Sequence, residues 1–287
     1  MTHVEPSQRP GESTDSPGAP PPPKRRLTPR QRARLFRGTL YAVLILFVVA
    51  AAVVADFATI QRAFFNPDIA ARMWPAVLTE GARNTVVYTA TSFAFGLTLG
   101  LVLALMKLSS VAPYRWIATG YIELFRGLPA LVTIIFVGFG IPIAFGVNIP
   151  GGFLGKATLG LGLVAAAYMA ETIRAGIQAV PKGQMEAARS LGMTRSWAMV
   201  SIVIPQAFRI IIPPLTNELV LLIKDTSLLF VLGTTVGSKE LTKFGRDLMS
   251  STFNGTPLLV IALAYLAITL PLTQLVAALE RRQARAR

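Results

Sequence analysis

The chain has no cysteine, and its one histidine, His3, lies near the start of 287 residues. Without thiols there is no disulfide, no thiolate-bound metal and no catalytic thiol. A lone imidazole leaves neither a histidine-based acid–base centre nor a histidine metal cluster. Charge is also scarce, at 15% of residues, and lopsided, with 28 Lys/Arg against 14 Asp/Glu. With 53% hydrophobic residues and a mean hydropathy of +0.55, an ordinary soluble domain is excluded. A net charge of +14 on a soluble chain would point to nucleic acid. Here the bases cluster beside apolar runs, which is an orientation signal for a membrane protein, so nucleic acid is not expected as a partner.

A nucleotide-binding loop is missing too. The run Gly151-Gly152-Phe153-Leu154-Gly155-Lys156-Ala157-Thr158 has the wrong glycine spacing, and Ala157 stands where a Mg²⁺-binding Ser/Thr would be needed. It reads as a turn before an apolar span. No other ATP-binding motif is present, so any ATP used must be hydrolysed by another chain. The chain is expected to be neither an enzyme nor a holder of cofactor or metal.

Residues 1–23 are rich in Pro, Gly, Ser and acid, and cannot bury enough apolar surface to fold. Residues 24–37 carry seven Lys/Arg and no acid. A disordered and then basic tail is therefore expected over 1–37, with anionic lipid as its partner. About 20 apolar residues are needed per crossing. That rule gives an extra N-terminal helix at 38–55, then spans at 84–106, 121–145, 157–179, 205–223 and 257–279. The segment 226–256 is only moderately apolar, and re-entry into the membrane stays open. Residues 281–287 form a basic C-terminal tail. The fold class is an all-α polytopic membrane bundle of about six helices.

Basic excess marks alternate loops. Lys107 and Arg115 stand in 107–120 without an acid, and Lys182, Arg189 and Arg195 in 180–204 against Glu186. The C-terminal tail adds Arg281, Arg282, Arg285 and Arg287 against Glu280. Residues 56–83 are balanced, with three bases and three acids. Both termini and the 180–204 loop are thus expected in the cytoplasm.

The polar stretch after residue 182 has its own logic. Gln184 to Ser190 are good helix formers, Gly192 suits the left-handed residue ending a helix, and Thr194 can cap a second short helix. Such a knob could dock into a partner's groove, with Ala187 and Ala188 small enough for close approach. It could equally be an amphipathic connector on the lipid surface.

Within the spans, ionisable residues are costly and tend to face the bundle interior. Glu171 and Arg174, three apart, share a helix face, and a structural ion pair is the leading reading. Glu218, Lys224 and Asp225 offer both signs of charge to a zwitterion. An internal ion network is an equal reading on physics alone. Arg126-Gly127-Leu128-Pro129 reads as a helix-entry device, with a gating role as the lesser alternative. Gly96 and Gly100, four apart, give a flat packing face.

Glu186-Ala187-Ala188, Gly192, Ile202 and Pro205 together resemble the E-A-A signature loop of bacterial ABC-importer permeases, with Ile204 where Leu is more usual. The resemblance extends over about 78–280. It includes Thr79-Glu80-Gly81 with Asn84-Thr85, Glu123 to Pro129 with Phe125-Arg126-Gly127, and Tyr168 to Arg174. It also includes Asn217-Glu218 and Lys224-Asp225-Thr226-Ser227-Leu228. This combination is similar to the polar amino-acid permeases of the histidine, glutamine and glutamate type.

The resemblance implies a type I importer core in the bacterial plasma membrane. It implies ATPase coupling through Glu186, Ala187, Ala188 and Gly192. It implies a substrate path at Asn217, Glu218, Lys224, Asp225, Thr226 and Ser227, and structural or gating roles for Arg126, Gly127, Pro129, Glu171 and Arg174. Implied partners are ABC ATPase subunits, an extracytoplasmic amino-acid-binding protein and a second permease chain. The expected substrate is glutamate- or glutamine-like. An ion-coupled secondary transporter and a non-transporting scaffold are the alternatives. The first should carry inverted repeats, which the sequence does not show.

Overall fold

The computed structural model describes residues 28–233 and 237–285, and the expected disordered stretch 1–23 lies outside the described residues. The chain divides into two units between Asp56 and Phe57. The first holds α1 (Pro29–Val54), which begins nine residues before the expected span. Thr28 explains the early start. Its hydroxyl accepts from Gln31 N, Gln31 Oε1 accepts from Thr28 N, and Pro29 sits at the first helical position. Arg30, Arg32, Arg34 and Arg37 are therefore helical. Leu44, Ile45, Phe47 and Val48 are all exposed, as on a helix meant for lipid.

The second unit opens with α2 (Phe57–Phe64) and α3 (Pro67–Met73), the latter capped by Asn66. A π-helical turn (Val77–Ala82) then leads into α4 (Arg83–Leu108). The fold turns on the pairing of α4 with α8 (Gly152–Gln178). A Cβ added to Gly96 would lie 3.1 Å from the Ala165 Cβ, and one on Gly100 would lie 3.0 Å from Ala166 O and the Met169 Cβ. The two glycines thus let the backbones close, as their spacing predicts. Ser92 meets Ala157, Gly100 meets Ala166, and Lys107 meets Glu171, so the two helices run parallel.

Parallel neighbours require the intervening chain to return to its starting end. That return is made by α5 (Ala112–Gly127), α6 (Ala130–Ile135), a π-turn at Phe136–Gly140 and α7 (Ile141–Phe145). The sequence reading drew one continuous span over 121–145. Instead α5 and the following pair are bent by 106°. Pro129 lacks an N–H and pushes Leu128 to φ −89°, ψ 141°, outside the helical region.

After α8 come α9 (Lys182–Ser190), α10 (Arg195–Ala198) and a π-turn at Met199–Val203. Next, α11 (Ile204–Asp225) runs antiparallel to α8, with Gly176 against Ile211 near one end and Leu161 near Leu222 at the other. It carries Pro213 and Pro214 inside it and continues as a 3₁₀ helix, Thr226–Leu232. Then α12 (Leu241–Thr252) leads to α13 (Thr256–Arg285), which runs into the expected C-terminal tail as far as Arg285.

Among the described residues five helices are long and apolar enough to cross a membrane, and the bent pair makes a sixth crossing if it counts as one. Among the described residues of the second unit there are three buried clusters. One lies at the α9 end (Ile122, Ile173, Val203, Ala207), one is central (Ile134, Leu161, Met169, Leu222), and one is at the opposite end (Met73, Val77, Leu241, Ile261).

Candidate functional site

Residues 180–204 form a two-helix knob. The end of α9 is closed by Met193 N donating to Ala188 O at 3.2 Å and Gly192 N to Arg189 O at 3.0 Å. That double bond pattern needs a left-handed residue, and Gly192 supplies it with φ +85°. Thr194 restarts the chain by accepting from Trp197 N at 3.3 Å. Met185, Met199, Val180 and Val203 root the knob in the bundle core, and Gln206 donates to Gln184 across α9 and α11. Ala188 is buried within the chain, while Glu186 and Ala187 are exposed. Leu191 and Trp197 are 84% and 62% exposed, and the sequence reading did not single them out. Large apolar side chains inside a polar loop were the available signal.

Just above the knob, Glu171 pairs with Arg174 as its spacing predicts, Nη2 to Oε2 at 2.6 Å. Its other oxygen takes the Lys107 ammonium of α4, also at 2.6 Å, and Arg174 Nη1 donates to Gln178 Oε1 at 2.7 Å. The carboxylate thus ties the ends of α4 and α8 together at the root of the knob.

Farther into the bundle lies a cavity of about 270 Å³. Glu218 and Asp225 enter it from α11, seven residues and so about 10 Å apart along one face. Leu128, Ala130, Leu161 and Tyr168 complete much of the wall. Arg126 stacks over Tyr168, its guanidinium carbon 5.5 Å from the ring centre, and its charge acts on Glu218. Pro129 caps α6 beside the wall residue Ala130, and Gly127 has open space around it.

The other expected path residues lie elsewhere. Asn217 and Lys224, also seven apart, share an exposed face, and Lys224 forms no ion pair among the described residues. Thr226 is fully buried, its hydroxyl donating to Ile223 O, and Ser227 is half-buried. Among the described residues no three acidic or histidine side chains converge as a metal site requires. The cavity therefore offers two carboxylates, an aromatic face and one nearby guanidinium to a small polar ligand.

The family model described as "Binding-protein-dependent transport system inner membrane component" matches residues 96–285. The chain is 39% identical over 207 residues to a probable glutamine ABC transporter permease protein of Bacillus subtilis, covering 71% of this chain and 91% of that one. It is 35% identical over 216 residues to a glutamate/aspartate import permease protein of Escherichia coli, covering 72% and 93%. A crystal structure of an amino acid ABC transporter with histidines superposes with a TM-score of 0.66 at 37% identity, covering 74% of this chain and 96% of that one.

Proposed function

Because the chain belongs to the family of binding-protein-dependent transport system inner membrane components, and is a multi-pass permease subunit of an ABC importer for polar amino acids, we propose how its parts divide that work. The 270 Å³ cavity on Glu218 and Asp225 is the amino-acid site in the membrane, and the knob carrying Glu186, Ala187 and Gly192 is where a separate ATPase takes hold. Both termini lie in the cytoplasm, which places the knob there and α12 at the outer side. A second permease chain completes the path, and an extracytoplasmic binding protein delivers substrate. Relatives named for glutamine and for glutamate/aspartate support an amino-acid cargo.

The observation that carries this reading is the charge of the cavity wall. A zwitterion needs an anion for its ammonium, and the two carboxylates provide it. Its carboxylate needs a cation, and we assign that role to Arg126, stacked on the wall residue Tyr168. Two acids against one base disfavour a second negative charge on the substrate. Between the two expected substrates, glutamine should thus be preferred over glutamate. Asp225→Asn removes one of the wall's charges and should narrow that preference by about tenfold, the equivalent of one 1.4 kcal/mol interaction. An unchanged glutamine-to-glutamate uptake ratio in that variant rejects the assignment. Knob docking is tested apart from this, by copurification of the ATPase with the wild-type chain and with a Leu191→Asp, Trp197→Asp variant.

A further inference from the structure

Among the described residues, Glu240 is the one charged side chain with no exposure. It precedes α12 and caps it, Oε2 accepting from Thr242 N at 2.6 Å and Oε1 from Lys243 N at 2.7 Å. A surface Ser or Asp could do as much, worth about 1 kcal/mol. Full burial of a carboxylate costs more than a cap returns, so it calls for a further reason. Among the described residues no cation pairs with it. The ammonium groups of Lys239 and Lys243 both go to Asp247, at 2.9 Å and 2.6 Å. Among the described residues the Tyr265 hydroxyl of α13 donates to it at 3.3 Å, and Tyr88 of α4 feels the charges of both Glu240 and Glu80.

The surrounding bonds make this spot a three-way joint. Asn84 donates to Gly237 O and Lys239 O, Tyr88 to Ser238 O, and Leu241 N to Thr85 Oγ1, so α4 is tied to the chain on both sides of Glu240. Tyr265 also lies 3.1 Å from the Thr242 hydroxyl, which joins α13 to α12 beside the carboxylate. Thr226 directly follows Asp225 of the cavity wall. Because α12 packs against the 3₁₀ helix that Thr226 begins, the joint adjoins the cavity wall.

We propose that Glu240 is a positioning residue for the transport cycle: it latches α12 against α4 and α13, holds that end of the bundle shut over the cavity, and is wetted and ionised when the end opens. This rests on the importer reading and on α12 lying at the outer side. Burial pushes the carboxyl up from 4.5 to about 7, against the pull of the Lys243 and Thr242 N–H groups. Opening restores an ordinary carboxylate. Between about pH 4.5 and 7 the shut joint therefore holds a proton that the open one does not. Acid favours the shut form, and opening gains up to about tenfold per pH unit across that window before levelling off.

The chain's lack of cysteine makes the test clean. Spin labels on Leu78→Cys, beside α4, and Ser250→Cys, on α12, report the joint by pulsed EPR in the full complex in nanodiscs. The longer-distance population should rise severalfold from pH 5 to pH 7 in the otherwise wild-type chain. Glu240→Gln should hold it at the pH 5 level throughout, and Tyr265→Phe, which removes a donor to the ionised form, should move the midpoint to higher pH. A flat profile in the Glu240 chain, or the same profile in Glu240→Gln, overturns the proposal. Amino-acid uptake is measured on the same samples. Absent uptake with an intact pH profile would count against the importer reading and leave the latch standing.

Discussion

The bend at Gly192 gives a graded test of coupling. Its backbone holds φ +85°, and a Cβ added there meets nothing within 4 Å, so any penalty within the chain is conformational and not steric. An L-residue in the left-handed region costs about 1–2 kcal/mol, less for Asn and more for a β-branched side chain. At 1.4 kcal/mol per decade, Gly192→Ala should shift the α9–α10 bend about tenfold away from its native shape, with Asn milder and Val worse. The assay is uptake per ATP hydrolysed in proteoliposomes containing the whole complex, at matched expression. Coupling should fall in the order Gly, Asn, Ala, Val. Wild-type coupling in Gly192→Val refutes the reasoning. An Asn variant as poor as Val would mean that bulk at a docked surface matters and backbone conformation does not.

Glu171→Ala leaves Lys107 and Arg174 together without their anion; with side chains 19–28% exposed, the loss should be about 1–3 kcal/mol, read as a lowered thermal midpoint of the purified complex. Gly100→Leu forces a Cβ to 3.0 Å from the α8 backbone and should sharply reduce the yield of monodisperse protein, whereas Gly120→Leu, with open space, should not. Deleting residues 1–23 should leave uptake unchanged, and a loss would assign that stretch a role.

What the sequence made legible was local. The Gly192 bend, the Thr194 cap, the Glu171–Arg174 pair and the Gly96/Gly100 face each depend on residues within about one helical turn, where spacing dictates geometry. What it hid was either long-range or masked by composition. Lys107 reaches Glu171 across 64 positions and reads in sequence as one more interfacial base. The break at Pro129 is silent in hydropathy because the apolar run continues through it. Lys224 and Asp225 are adjacent in sequence but about 100° apart around a helix, which sends one out of the bundle and the other to the cavity. Glu240 looks like a solvated loop acid until α4, α12 and α13 close around it.

The central claim is that this chain carries a polar amino acid along a path walled by Glu218 and Asp225. Its most direct test is uptake of labelled glutamine by the complex reconstituted with its binding protein and ATPases, compared with the Glu218→Gln, Asp225→Asn double variant. The account predicts ATP-dependent glutamine uptake in the wild type, and a loss of about a hundredfold in the double variant, one decade per lost charge-assisted bond, with ATP hydrolysis retained. Undiminished uptake in the double variant, or wild-type uptake that glutamine and every other polar amino acid fail to support, contradicts it.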